Sequence, residues 1–130
     1  MNIRKTPVAI VAVLLLVITG CDQKTGYQQY GASVLDSAEL TSIRTILDDP
    51  SAHDGQQVTV KGIIAAVCPS SGCFLRLGEG ASQIFVDLQE SGFTVPPGKN
   101  LGHLAFVSGV VRSGKDEVKI AGTGVRIMEK

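Results

Sequence analysis

The sequence predicts a mainly β protein, a small closed barrel of five strands preceded by one short helix. Three observations carry that expectation. Beyond residue 55 the chain resolves into five apolar, β-branched segments. Clusters of Gly, Pro and Ser separate them. Glycines also lie inside the first, fourth and fifth segments, where strongly coiled strands bend at the corners of a barrel.

The elements follow in order. Asp36-Ser37-Ala38-Glu39 has the form of a capping box, an Asp cap with Glu three residues later. Leu40, Ile43, Ile46 and Leu47 then recur at helical spacing, which predicts a helix over Ser37 to Leu47. Asp48-Asp49-Pro50 ends it, because proline disfavours helix in the residue before it. Strands are expected at Gln56 to Val67, Phe74 to Leu77, Gln83 to Leu88, Leu104 to Val111 and Val118 to Met128. The first three form a meander, a longer connection follows, and the last two form a hairpin.

Alternation sets the faces. Val58, Val60 and Ile64 should point inward, with Thr59 and Lys61 outward. Leu75 and Leu77 oppose Phe74 and Arg76, while Ile84, Val86 and Leu88 oppose Phe85 and Asp87. Five strands in this rhythm match the OB-fold, a Greek-key barrel; the rival, a two-sheet sandwich, normally needs about seven strands. The connection from Ser91 to Gly102 contains Pro96-Pro97, which argues for an irregular loop over the barrel end, anchored by Phe93.

The N-terminus has a different character. Arg4 and Lys5 precede an unbroken apolar run from Val8 to Ile18. Eleven residues are too few to span a bilayer, which takes about 20. Basic residues, a short apolar core and then small residues describe a secretory signal peptide. Ile18-Thr19-Gly20-Cys21 resembles the lipobox of bacterial lipoproteins. That resemblance implies cleavage after residue 20, a diacylglycerol on the Cys21 sulfur and a further acyl chain, such as palmitate, on the new amino group. It also implies that Asp22 favours retention at the inner membrane. Residues 21–35 are then the lipidated cysteine and a polar flexible tether, and residues 36–130 the folded domain.

Without residues 1–20 the chain loses Arg4 and Lys5, leaving ten basic residues against twelve acidic. This slightly acidic balance, with four Phe, two Tyr and no Trp, argues against a nucleic-acid partner. Two histidines fifty positions apart, His53 and His103, permit no Ser-His-Asp arrangement, and the Gly-x-Gly segments do not join a strand to a helix. No enzymatic activity is expected.

Cys68 and Cys73 bracket Pro69-Ser70-Ser71-Gly72 at the first strand turn. Three chemistries fit. If the two residues face each other, their Cα atoms stand roughly 4.5–5.5 Å apart, within reach of a disulfide that an oxidising compartment favours. Such a loop stabilises by only about 2 kcal/mol. Alternatively, Cys68, Cys73 and His103 could hold a soft metal ion, because His103 begins a strand antiparallel to the one that ends near Cys68. The third chemistry is a redox-active thiol pair, against which stand the Cys-x4-Cys spacing and the absence of a basic neighbour.

The stretch from Ile43 to Ile64 resembles secreted bacterial OB-fold domains. CPSSGCF and GFTVP are similar to motifs of a small secreted OB-fold family in which an aromatic residue follows the second cysteine. The expectation is therefore a lipid-anchored cell-envelope protein facing the periplasm or exterior. It would bind a protein or small ligand, with no cofactor beyond a possible metal ion. Phe74, Arg76 and Phe85 are the candidate binding face; metal handling and thiol–disulfide exchange are the alternatives.

Overall fold

The computed structural model describes residues 26–35 and 38–129. The expected signal peptide, Cys21, Asp22 and the expected helix start at Asp36-Ser37 lie outside the described residues. Six strands form: β1 (Tyr27–Gly31), β2 (Gln57–Val67), β3 (Phe74–Glu79), β4 (Ser82–Asp87), β5 (Leu104–Ser113) and β6 (Val118–Met128). Each of the five expected strands is present, with ends displaced by two residues at most. The sheet order is β1-β6-β4-β3-β2-β5, and β5 also pairs with β6, so β2 to β6 close on themselves. All contacts are antiparallel except β4 with β6, where Phe85, Val86 and Asp87 run parallel to Lys119, Ile120 and Ala121. This is the OB-fold barrel.

Alternation explains why it closes. Val60, Leu75, Leu77, Val86, Val107 and Val125 are fully buried and come from all five barrel strands. Thr59 is also buried, although it points outward, because Leu40 bridges it in parallel and the Thr41 N–H donates to its carbonyl at 2.8 Å. The Thr59 hydroxyl pairs with Ser108 Oγ at 2.8 Å, so its burial leaves no unpaired oxygen.

The N-terminal part departs from expectation in two places. The polar stretch read as tether contains β1, which adds to the β6 edge with Tyr27 opposite Met128 and Gly31 opposite Gly124. The single short helix expected over Ser37 to Leu47 is not found among the described residues. Instead α1 (Ile43–Asp48) and α2 (Pro50–His53) flank Asp49, with Pro50 in the first turn of α2, where a missing N–H costs nothing. Leu40 belongs to the extended segment against β2, so its helical spacing is coincidental. Ser42 precedes α1, yet its hydroxyl donates to Glu79 Oε1 at 2.7 Å and so ties the helix to β3. Ile43 and Ile46 fill the barrel end.

Residues 91–102 form an irregular connection, as the two prolines suggest. Phe93 packs against the core and against β1 at Gly31, and Val95 is fully buried.

Candidate ligand-binding face and cysteine loop

The outer face of β3 and β4 gathers the three residues singled out from sequence. Arg76 stands directly opposite Phe85, and Phe74 opposite Asp87, which makes Phe74 and Phe85 diagonal neighbours. Their rings stack with centroids 4.8 Å apart and planes 27° from parallel. The Arg76 guanidinium lies over the Phe85 ring, 5.7 Å from its centroid, a contact worth about 0.5–1 kcal/mol at an exposed site. Both rings are half-buried and Arg76 is exposed, so the strip is open to a ligand.

Sequence reasoning missed the charged flank. The parallel β4–β6 pairing puts Lys119 beside Phe85, and its ammonium reaches Asp87 Oδ2 at 3.0 Å. The Gln89 backbone N–H donates to Asp87 Oδ1 at 2.9 Å. That hydrogen bond, with Lys119 as a smaller contributor, outweighs partial burial and holds the Asp87 carboxyl below its ordinary range. Asp87 was legible as outward-facing, whereas its partner required knowledge of barrel closure.

The cysteine loop lies at the end of the same strip. From Ile63 to Ile64 the β2–β3 register is Ile63 with Gly78 and Ile64 with Leu77; beyond Ala65 it becomes Ala66 with Arg76 and Val67 with Leu75. One extra residue has entered β2 as a bulge. The earlier register, extended, would have brought Cys68 opposite Cys73. The actual register brings it opposite Phe74, whose carbonyl accepts the Cys68 N–H at 3.0 Å. In this register the two sulfurs are not joined, and both cysteines are free thiols. Cys68 shares the outward side of Phe74.

Backbone contacts hold the loop. The Gly72 N–H donates to the Cys68 carbonyl at 3.0 Å, and the Gly72 carbonyl accepts from Val95 N–H at 3.0 Å. Gly72 has φ +68°, and a Cβ there would stand 1.8 Å from the Val95 carbonyl oxygen, so only glycine fits. This geometry turns the hydroxyls of Ser70 and Ser71 to Cys68 Sγ, at 3.4 and 3.6 Å. The Ser70 hydroxyl, the Ser71 backbone N–H and the Ser71 hydroxyl, in that order, stabilise the thiolate. They lower the Cys68 pKa from 9.0 to about 5 although the residue is only 9% exposed. The sequence reading looked for a basic neighbour and overlooked hydroxyl donors.

The three residues of the metal reading are not brought together. His103 Nδ1 lies 2.9 Å from the Met128 carbonyl oxygen, and the His103 backbone pairs with Ile64, four residues short of Cys68. Among the described residues no three His, Cys, Asp or Glu side chains are grouped so that they could hold a metal ion. No helix among them is long and apolar enough to cross a membrane.

No protein-family model matches this chain, and no curated protein matches it. Solved structures do. The hypothetical protein YgiW from E. coli is similar at 22% identity and a TM-score of 0.51, over 75% of this chain and 99% of that one. An aspartyl-tRNA synthetase from Leishmania major shares the fold at 10% identity and a TM-score of 0.54, through only 22% of its length. A chain of the S. pombe Stn1–Ten1 complex matches at 24% identity and a TM-score of 0.44, over 65% of this chain and 72% of that one. The exclusion of nucleic acid made from net charge is corrected, because a balance over the whole chain does not describe any one face. Locally, the β3–β4 strip offers stacked rings beside Arg76 and Lys119, whatever the overall balance. The likenesses to YgiW and the synthetase establish the OB-fold.

Proposed function

We propose that the chain is a cell-envelope lipoprotein whose OB domain is a non-catalytic binding module, with the β3–β4 strip as its docking face. The Phe74–Phe85 stack carries this reading. Two aromatic rings, half-exposed and flanked by Arg76 on one side and the Lys119–Asp87 pair on the other, form an amphipathic platform. Such a surface suits a protein segment or small ligand that presents a flat apolar group beside charge. The lipobox resemblance supplies the location: residues 1–20 are removed and Cys21 is acylated.

A photo-crosslinking residue at position 76, in protein kept in its native membrane, tests the docking face. The same residue at exposed Thr45 serves as control. A discrete adduct at 76 that is absent at 45 and lost with Phe85→Ala supports the reading. Equal labelling at both positions contradicts it. A fluorescent single-stranded oligonucleotide bound in a Phe85-dependent manner would assign the strip to nucleic acid instead.

A second reading rests on Cys68, a thiolate at neutral pH within five residues of another free thiol. In thiol–disulfide exchange Cys68 Sγ would attack a partner disulfide, joining one partner sulfur and releasing the other as thiolate. Cys73 would then attack Cys68 Sγ, lose its proton and release the reduced partner. Intact mass before and after incubation with an oxidised small-molecule disulfide decides it. Loss of two protons from the protein supports exchange; a stable mixed adduct on Cys68 alone excludes Cys73 as resolving thiol.

A further inference from the structure

One end of the barrel carries an ordered arrangement of outward side chains on which neither reading above depends. Ile63 on β2 is opposite Leu104 on β5, and Tyr27 on β1 is opposite Met128 on β6. The β5–β6 register, with Ala105 opposite Ile127, continues to set Leu104 beside Met128. Four adjacent strands thus present one unbroken apolar row: Tyr27, Met128, Leu104, Ile63. Ile63 is 45% exposed, and Leu101 beside it, positioned by the Gly102 N–H donating to the Ile64 carbonyl at 2.9 Å, is 50% exposed.

The next outward row is Gln29, Arg126, Phe106 and Lys61, which adds two cations. Arg126 lies over the Tyr27 ring, 4.4 Å from its centroid, and donates to the Val34 carbonyl. The third row is Gly31, Gly124, Ser108 and Thr59, without charge or large apolar groups. Polarity therefore changes in layers along the strands: apolar at the tip, cationic behind it, and polar beyond. A bilayer surface has the matching layers of acyl boundary, anionic headgroups and water.

The chain itself indicates the occupant. β1 enters at this same end, where the Glu129 N–H donates to the Gly26 carbonyl at 2.8 Å. Only residues 22–25 separate Gly26 from Cys21, a reach of at most about 18 Å fully extended. An acylated Cys21 would hold the apolar row within that distance of the lipid.

We infer that the barrel end formed by Tyr27, Ile63, Leu101, Leu104 and Met128 rests on the bilayer and is a second membrane contact beside the acyl anchor. The inference depends on the proposed lipidation of Cys21. It sets the two sides of the strip at different depths: Lys119 lies nine residues up β6 from Met128, as much as ~30 Å of strand, whereas Arg76 is two residues from Gly78, the partner of Ile63. Phe85 and Lys119, on the β4–β6 side, are thereby held farther from the lipid than Ile63 and Leu101.

The chain contains no Trp, so one introduced indole reports one position. Full-length Leu101→Trp, Ile63→Trp and Phe85→Trp proteins, purified with their lipid, would be placed in phosphatidylethanolamine–phosphatidylglycerol vesicles with brominated acyl chains. The mass of the Cys21 peptide and co-flotation with vesicles would be recorded for each. Loss of emission with a blue shift for Leu101→Trp and Ile63→Trp, and unchanged emission for Phe85→Trp, is the expected result. Acylated protein that floats while both end positions stay unquenched, or while Phe85→Trp is quenched most, overturns the orientation alone. An unacylated Cys21 in protein that does not float overturns the lipoprotein reading, and this inference with it.

Discussion

Cys68 donates its backbone N–H to the carbonyl of Phe74, and this one pairing decides the chemistry of the loop. It arises because Ala65 is an extra residue in β2. A thiol that would have met Cys73 stands instead at the edge of the aromatic strip, facing two serine hydroxyls.

The first prediction concerns that thiol. With a pKa near 5, Cys68 is ionised at neutral pH, and its alkylation rate should fall only as pH drops through about 5. Ser70→Ala combined with Ser71→Ala removes both hydroxyl donors and should move the midpoint upward, toward 9. Because the folded-state value is depressed, ionisation favours the folded loop. That contribution is complete above about pH 9 and is lost as pH falls through about 5. Thiolate absorbance against pH, with Cys73→Ser as background, checks the assignment.

Gly72→Ala should be costly. The left-handed φ and the blocked space at Val95 act together, and the expected loss is roughly 2–4 kcal/mol. Thermal and urea unfolding would measure it. Gly80→Ala is the control, since Gly80 shares a positive φ but has nothing within 4 Å of the added Cβ; it should lose less.

The aromatic stack should be energetically coupled. A double-mutant cycle with Phe74→Leu and Phe85→Leu is expected to give about 0.5–1.5 kcal/mol of interaction. Additive losses would mean that the rings merely cover the sheet.

Asp87 gives an acid limb. Its carboxyl is held below the ordinary 3.8 by Gln89 N–H and Lys119. The stabilisation is complete above that ordinary value and disappears as pH falls through the lower folded-state one. Asp87→Asn should flatten this part of the stability–pH curve, as denaturant midpoints at stepped pH would show. Lys119→Gln should flatten it less, because the backbone donor remains.

What was legible in the sequence was whatever burial writes into alternation. Val58 to Ile64, Leu75 to Leu77 and Ile84 to Leu88 each have one face in the core; their inward residues agree with the structure, and their strand limits agree within two residues. Features held by hydrogen bonds alone were not legible. Tyr27 to Gly31 is a strand because the β6 edge accepts it, and Tyr-Gln-Gln-Tyr-Gly shows no apolar period. Leu40 fits a helical stripe by spacing but occupies an extended bridge to Thr59. The bulge at Ala65 falls in Ile-Ile-Ala-Ala-Val, where no turn residue announces it, and so the cysteine geometry was misjudged by one register step. Phe74, Arg76 and Phe85 could be placed on one face by period two, whereas Lys119 came to them only through the parallel β4–β6 closure. Net charge was the weakest guide, because it averages over surfaces that a ligand meets one at a time.

The central claim is that the β3–β4 strip is the docking face. Backbone amide shifts of isotope-labelled full-length protein in lipid nanodiscs, recorded while detergent-free soluble envelope extract is added, test it most directly. The account predicts shifts centred on Phe74, Arg76, Phe85, Asp87 and Lys119 that vanish in Phe85→Ala. Shifts centred elsewhere on the barrel, or an unchanged response in that variant, would contradict it.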